Sequence, residues 1–105
     1  MAKDLHLPPD YQEQVVSILR RIAPEIEVWA YGSRVDGSNH DASDLDLVLR
    51  TPGLAPVSVS AISRLLDAFD ESNLPIIVDI HDWARLPETY HEEIQRNYYV
   101  LVQPE

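Results

Sequence analysis

The sequence predicts an α+β fold: a small mixed β-sheet with helices packed against it. Residues 25–31 and 44–50 alternate apolar and polar side chains with the period of two that a half-buried strand requires. Residues 76–80, IIVDI, form a third short apolar run. Around these lie stretches whose apolar residues recur every three or four positions, as on one face of a helix. A chain of 105 residues with 45% apolar content suits one core and one domain, residues 1–105.

Pro8-Pro9-Asp10 opens the first helix, with Asp10 as a cap or first-turn acid. Val15, Ile18, Leu19 and Ile22 give it an apolar face until Ala23-Pro24 stops it. In the strand that follows, Ile26, Val28 and Ala30 face one way and Glu27, Trp29 and Tyr31 the other. Residues 33–43 have no sustained period and read as a polar loop with one helical turn after Ser33, a length of connection that is commonly functional.

The segment 44–50 is the clearest strand. Leu45, Leu47 and Leu49 share one face; Asp44, Asp46 and Val48 share the other. Burial of the leucines locks the register, because a slip of one residue would bury the acids instead. Thr51-Pro52-Gly53 turns, and a helix starting at Val57 or Ser58 runs to Glu71 with Ile62, Leu65, Leu66 and Phe69 as its stripe. Pro87-Glu88 starts a last helix through Arg96, with Tyr90, Ile94 and also Tyr98 expected on its inner side, and residues 98–102 form an edge strand or a docked extension.

Composition removes several classes of function. The chain has no cysteine, so disulfides, zinc-thiolate sites and cysteine nucleophiles are excluded. No run reaches the roughly 18 to 20 apolar residues needed to span a bilayer, and residues 1–10 do not resemble a secretion signal. A cytoplasmic protein is the expectation. With 18 acidic and 8 basic residues, the net charge of −10 disfavours extended contact with a nucleic-acid backbone. It is compatible with a basic protein partner.

Chemistry concentrates in residues 29–49. Gly32-Ser33 ends one strand, ten residues intervene, and Asp44 and Asp46 begin the next. Two carboxylates separated by one residue on a strand project to the same side and can hold a hard divalent metal. Glycine followed by serine after a strand gives a tight turn whose N–H groups and hydroxyl approach phosphate closely. A phosphate cradle beside a metal site suggests nucleotide chemistry. Asp79 interrupts the third strand; a carboxylate in that position is paired, metal-bound or at an exposed end, since an isolated buried charge is very costly.

This pattern, Gly32-Ser33, ten residues, Asp44-Leu45-Asp46, resembles the G-S-x10-D-x-D signature of the polymerase-beta-like nucleotidyltransferases, and Asp79 stands where that family has its third carboxylate. The resemblance extends over nearly the whole chain and is strongest to the minimal nucleotidyltransferases, the antitoxin half of HEPN/MNT toxin-antitoxin pairs. It implies a palm-like core, with Gly32 and Ser33 on the phosphates of ATP or another NTP and Asp44 and Asp46 holding magnesium. Asp79 would complete the metal site and assist the incoming hydroxyl. It further implies transfer of AMP from ATP to a tyrosine of an HEPN ribonuclease toxin, or inhibition of that partner by binding.

Arg34 is then a cation beside the phosphates, whereas Asp36 replaces the second basic residue of the family's G-S-R-A-R-G. Larger members carry a second domain that grips the acceptor or base, so acceptor choice is expected from an oligomer or another protein. Two alternatives stay open: a binding module on this fold without turnover, and a transferase acting on a small molecule of the antibiotic type. His6, His40, His81 and His91 lack paired metal spacing. His40, in the loop, and His81, sharing the strand parity of Asp79, are the two with a possible role at the site. Trp29, Trp83 and Tyr31 read as packing groups.

Overall fold

The computed structural model describes residues 2 and 4–104. Helix α1 spans Pro9–Ile22, and Ala23 closes it by donating its N–H to the Leu19 carbonyl at 2.8 Å. Pro8 occupies the N-cap position and Asp10 lies in the first turn, so Asp10 meets the helix dipole rather than capping the end. Strands β1 (Glu27–Tyr31), β2 (Leu45–Arg50), β3 (Val78–Asp82) and β4 (Tyr99–Val102) form one sheet in the order β3-β2-β1-β4. Helix α2 (Ser33–Asp36) is the single turn after Gly32, α3 covers Val59–Glu71 and α4 covers Glu88–Arg96.

The sheet is mixed, as expected: β1 runs antiparallel to β2 and β4, while β2 and β3 are parallel. A parallel neighbour needs a crossover, and α3 supplies it. The tail is an edge strand beside β1 rather than a docked extension. The third strand begins two residues later than its apolar run suggests, because Ile77 is exposed and pairing starts where Leu45 faces Val78.

One face of the sheet is fully covered. Leu45, Leu47 and Leu49 are buried with Val28 and Ala30 against Val15 and Leu19 of α1 and Leu65 and Phe69 of α3. Leu66, expected in that stripe, is 48% exposed instead, since the sheet reaches only the Leu65 and Phe69 side of α3. The opposite face is covered at one end only, where Trp29, Val48, Trp83 and Ile94 of α4 pack together. Tyr98 stacks on Trp29 at 3.9 Å, and the Arg50 guanidinium lies 3.9 Å from the same indole. Both tryptophans are therefore packing groups. The rest of this face stays open, and the acids project there.

Ahead of α3, a buried carboxylate fixes the chain. Asp82, 7% exposed, accepts N–H bonds from Val57 at 3.0 Å and Ala84 at 3.2 Å and is paired with Arg85. Arg85 also donates to the Val57 carbonyl at 2.8 Å. The turn after β2 is thus tied to the end of β3.

Candidate active site

Gly32 follows the last residue of β1 with φ +81°, a conformation that glycine alone adopts without strain. A Cβ at this position would lie 2.5 Å from Asp46 Oδ2, so the backbone can pass beside the carboxylate only because there is no side chain. The chain then makes the turn of α2, closed by Gly37 at φ +86°, whose N–H donates to the Ser33 carbonyl at 3.0 Å. Ser33 is partly exposed at the start of that turn.

Asp46 sits opposite Tyr31 on one side and opposite Asp79 on the other, because β1, β2 and β3 are paired in that register. Asp44 lies one residue before β2, exposed, close enough for its charge to act on Asp46. Partial burial, then the charges of Asp79 and Asp44, hold the Asp46 carboxyl above the usual carboxylate range. The structure thus sets Asp46 against Gly32 and opposite Asp79, with Asp44 just before the same strand and within electrostatic reach of Asp46. Asp79 is both exposed and paired, with His81 Nε2 3.2 Å from its Oδ2.

Among the described residues no three His, Asp or Glu side chains close into a finished metal cage. The donor set nevertheless fits a hard divalent cation: it is all oxygen, and Asp44 and Asp79 are exposed. Such ions keep several waters and substrate phosphates and need only one or two carboxylates from the protein.

Arg34, expected beside the phosphates, is buried. It is 3% exposed, and its guanidinium donates to the carbonyls of His6 at 2.8 Å, Ser43 at 3.0 Å, Asp41 at 3.2 Å and His40 at 3.5 Å. In return, His6 N–H donates to the Arg34 carbonyl at 2.7 Å. A planar group with five N–H donors suits a ring of carbonyls, and here it ties residues 6 and 40–43 to α2, immediately before Asp44. Asp36 also serves the loop: it accepts from Ser38 N–H at 2.8 Å and Ser38 Oγ at 2.6 Å, bonds that hold its carboxyl below the ordinary range. His40 Nδ1 accepts from the Ala42 N–H at 3.2 Å, another local contact. His91 stacks on Trp83 at 3.9 Å, away from the carboxylates' register row.

A cavity of about 490 Å³ adjoins the acids, with Tyr31, Gly32, His81, Tyr90, Glu93 and Asn97 in its wall. Tyr31 is therefore more than a packing group. Burial and the nearby Asp46 and Asp79 raise its phenol far above the usual range, so it faces the site as a neutral hydroxyl. Tyr90, expected inside, is 51% exposed, because α4 packs through Ile94 and presents Tyr90 to the cavity rim. Tyr90, Glu93 and Asn97 were not visible as site residues in the sequence, although Tyr90 and Glu93, three apart, share a face of α4 and Asn97 follows directly at its C-cap.

The family model described as a nucleotidyltransferase domain matches residues 12–102. The chain is 42% identical over 91 residues to the probable protein adenylyltransferase MntA of Haemophilus influenzae, covering 87% of this chain and 78% of that protein. Its fold is similar to that of a chain in a crystal structure of a toxin-antitoxin with AMP-PNP, with a TM-score of 0.71, 19% identity, and coverage of 90% of this chain and 74% of that one. No helix among the described residues is long and apolar enough to cross a membrane.

Proposed function

Because the chain belongs to the nucleotidyltransferase domain family, we propose that it is a magnesium-dependent protein adenylyltransferase, moving AMP from ATP to a hydroxyl on a partner protein. One observation carries the reading: Asp46 and Asp79 are register partners on adjacent strands, with Gly32 against Asp46. The likeness to MntA supports a protein acceptor, and an acidic chain with net charge −10 suits a partner with a basic surface. The acceptor in this reading is a tyrosine of an HEPN-type toxin, and this chain is its antitoxin.

Asp44 and Asp46 would hold the magnesium ions, with Asp79 completing the set. When bound, the metal supplies positive charge against the phosphates and the leaving pyrophosphate. The Gly32-Ser33 turn receives the phosphates, with the Ser33 hydroxyl as a donor. The acceptor oxygen attacks the α-phosphorus, the bond to the bridging oxygen of pyrophosphate breaks, and the hydroxyl proton passes to Asp79. Arg34 acts from behind, holding the loop that carries Asp44. Asp36 is turned to Ser38 and lines the cavity wall, so it supplies no second cation to the phosphates.

Incubation with magnesium, labelled ATP and the protein encoded beside this chain tests the proposal. Label on the partner with wild type and none with Asp44→Ala is the expected result. No label with either protein would sink the transferase reading.

A further inference from the structure

Two apolar residues whose sequence patterns assign them to packed elements lie outside the core: Leu66 of α3 is 48% exposed and Ile77, just before β3, is 66% exposed. Both line one groove of about 460 Å³ between the end of α3 and the chain entering β3, with Phe69, Leu74 and Pro75 completing its apolar wall. Asp70, four residues after Leu66 and so on the same flank of the helix, is the one charged residue of that wall. We propose that this groove is the docking site of the acceptor protein, which enters it with an apolar side chain ringed by lysine or arginine. This rests on the reading of the chain as a protein adenylyltransferase and names the surface that recognises its acceptor.

Charge and position argue for that occupant. The groove wall has no lysine or arginine; Arg64 of α3 lies on the other flank, with Asp67 and Glu71 in the groove against α1. An exposed carboxylate beside apolar surface, in a chain of net charge −10, complements a partner whose contact is apolar at its centre and basic at its rim. A second copy would bring the same net charge against the same patch, and like charges across an interface oppose association. Burial alternates from Ile76 to Asp79, so Ile77 and Asp79 leave the chain on one side, about 7 Å apart along a strand. A partner seated on Ile77 therefore holds its adjoining residues at Asp79, which takes the acceptor proton in the proposed chemistry. The groove shares no wall residue with the cavity under α4, so docking can be tested apart from ATP binding.

Leu66→Ala, Ile77→Ala and Asp70→Lys alter exposed side chains and leave the core intact. Calorimetry with the protein encoded beside this chain, a parallel titration with ATP and magnesium, and steady-state label transfer test the assignment. Expected is partner binding weaker by about tenfold for Leu66→Ala and Ile77→Ala and about fivefold for Asp70→Lys, with ATP affinity and kcat retained and KM for the partner raised in step. Asp44→Ala should show the reverse, with partner binding kept and transfer lost. Unchanged partner affinity in all three groove variants overturns the docking site and leaves the transferase reading standing. Loss in the two apolar variants without loss in Asp70→Lys overturns the basic occupant. Sedimentation that finds wild type dimeric and Ile77→Ala monomeric assigns the groove to a second copy and overturns the proposal. Wild type that neither binds nor labels the partner refutes the docking site and the transferase reading together.

Discussion

Gly32 and Asp46 are packed so closely that a single methyl on Gly32 would stand 2.5 Å from the Asp46 Oδ2. The turn proposed to receive phosphate and the carboxylate proposed to hold metal are thus one unit. Gly32→Ala is expected to lose transfer and about 1 to 3 kcal/mol of stability, from the strain of φ +81° and the displaced carboxylate. Urea denaturation beside a label-transfer assay checks both.

Asp46 is partly buried beside the charges of Asp79 and Asp44, so its ionised form is disfavoured in the folded protein. Asp46→Asn is therefore expected to raise the metal-free melting temperature at pH 7 by about 1 to 4 °C while abolishing transfer. The sign follows from its raised carboxyl: the ionised form is disfavoured by folding, a cost fully present above the folded value. The advantage of the variant should shrink as pH falls through that value towards the ordinary carboxylate range. Magnesium should raise the melting temperature of wild type and have little effect on the variant. Differential scanning calorimetry with and without the ion measures all three trends.

Arg34 holds four carbonyls from inside the protein. Arg34→Ala would leave buried acceptors unpaired, and a loss of about 2 to 4 kcal/mol is expected. Arg34→Lys should restore little, because an ammonium cannot reach a ring of carbonyls with a planar fork. If Arg34 instead contacted phosphate, the same variants would weaken ATP binding with stability unchanged, which paired denaturation and titration curves would reveal.

Asp82 is the structural counterpart to the exposed acids. Asp82→Ala should destabilise the fold by about 2 to 4 kcal/mol through the unpaired Val57 and Ala84 N–H groups and the freed Arg85. At low temperature, where the variant stays folded, transfer should persist. Loss of activity in a fully folded Asp82→Ala, judged by circular dichroism, would place Asp82 in the chemistry instead.

The sequence by itself determined the helices and the first three strands, the leucine face of β2 and the shared side of Asp44 and Asp46 by a period of two, and it left the tail open. Those are local properties: alternation and helical spacing decide which side of an element is apolar, and burial of Leu45, Leu47 and Leu49 leaves Asp46 no other direction. The signature in residues 32–46 also pointed to the nucleotidyltransferase family, which the family match shows. Tertiary structure alone decided what lies between elements. Parallel pairing of β2 with β3 set Asp46 opposite Asp79, and the closing of α4 over half a face made the cavity and turned Tyr90 outward. Arg34 went inward and Asp82 became the buried acid because the carbonyls and N–H groups they satisfy come from segments distant in the chain. No residue pattern records the location of an unpaired backbone group, so the partners of a buried charge emerge only once the chain has folded.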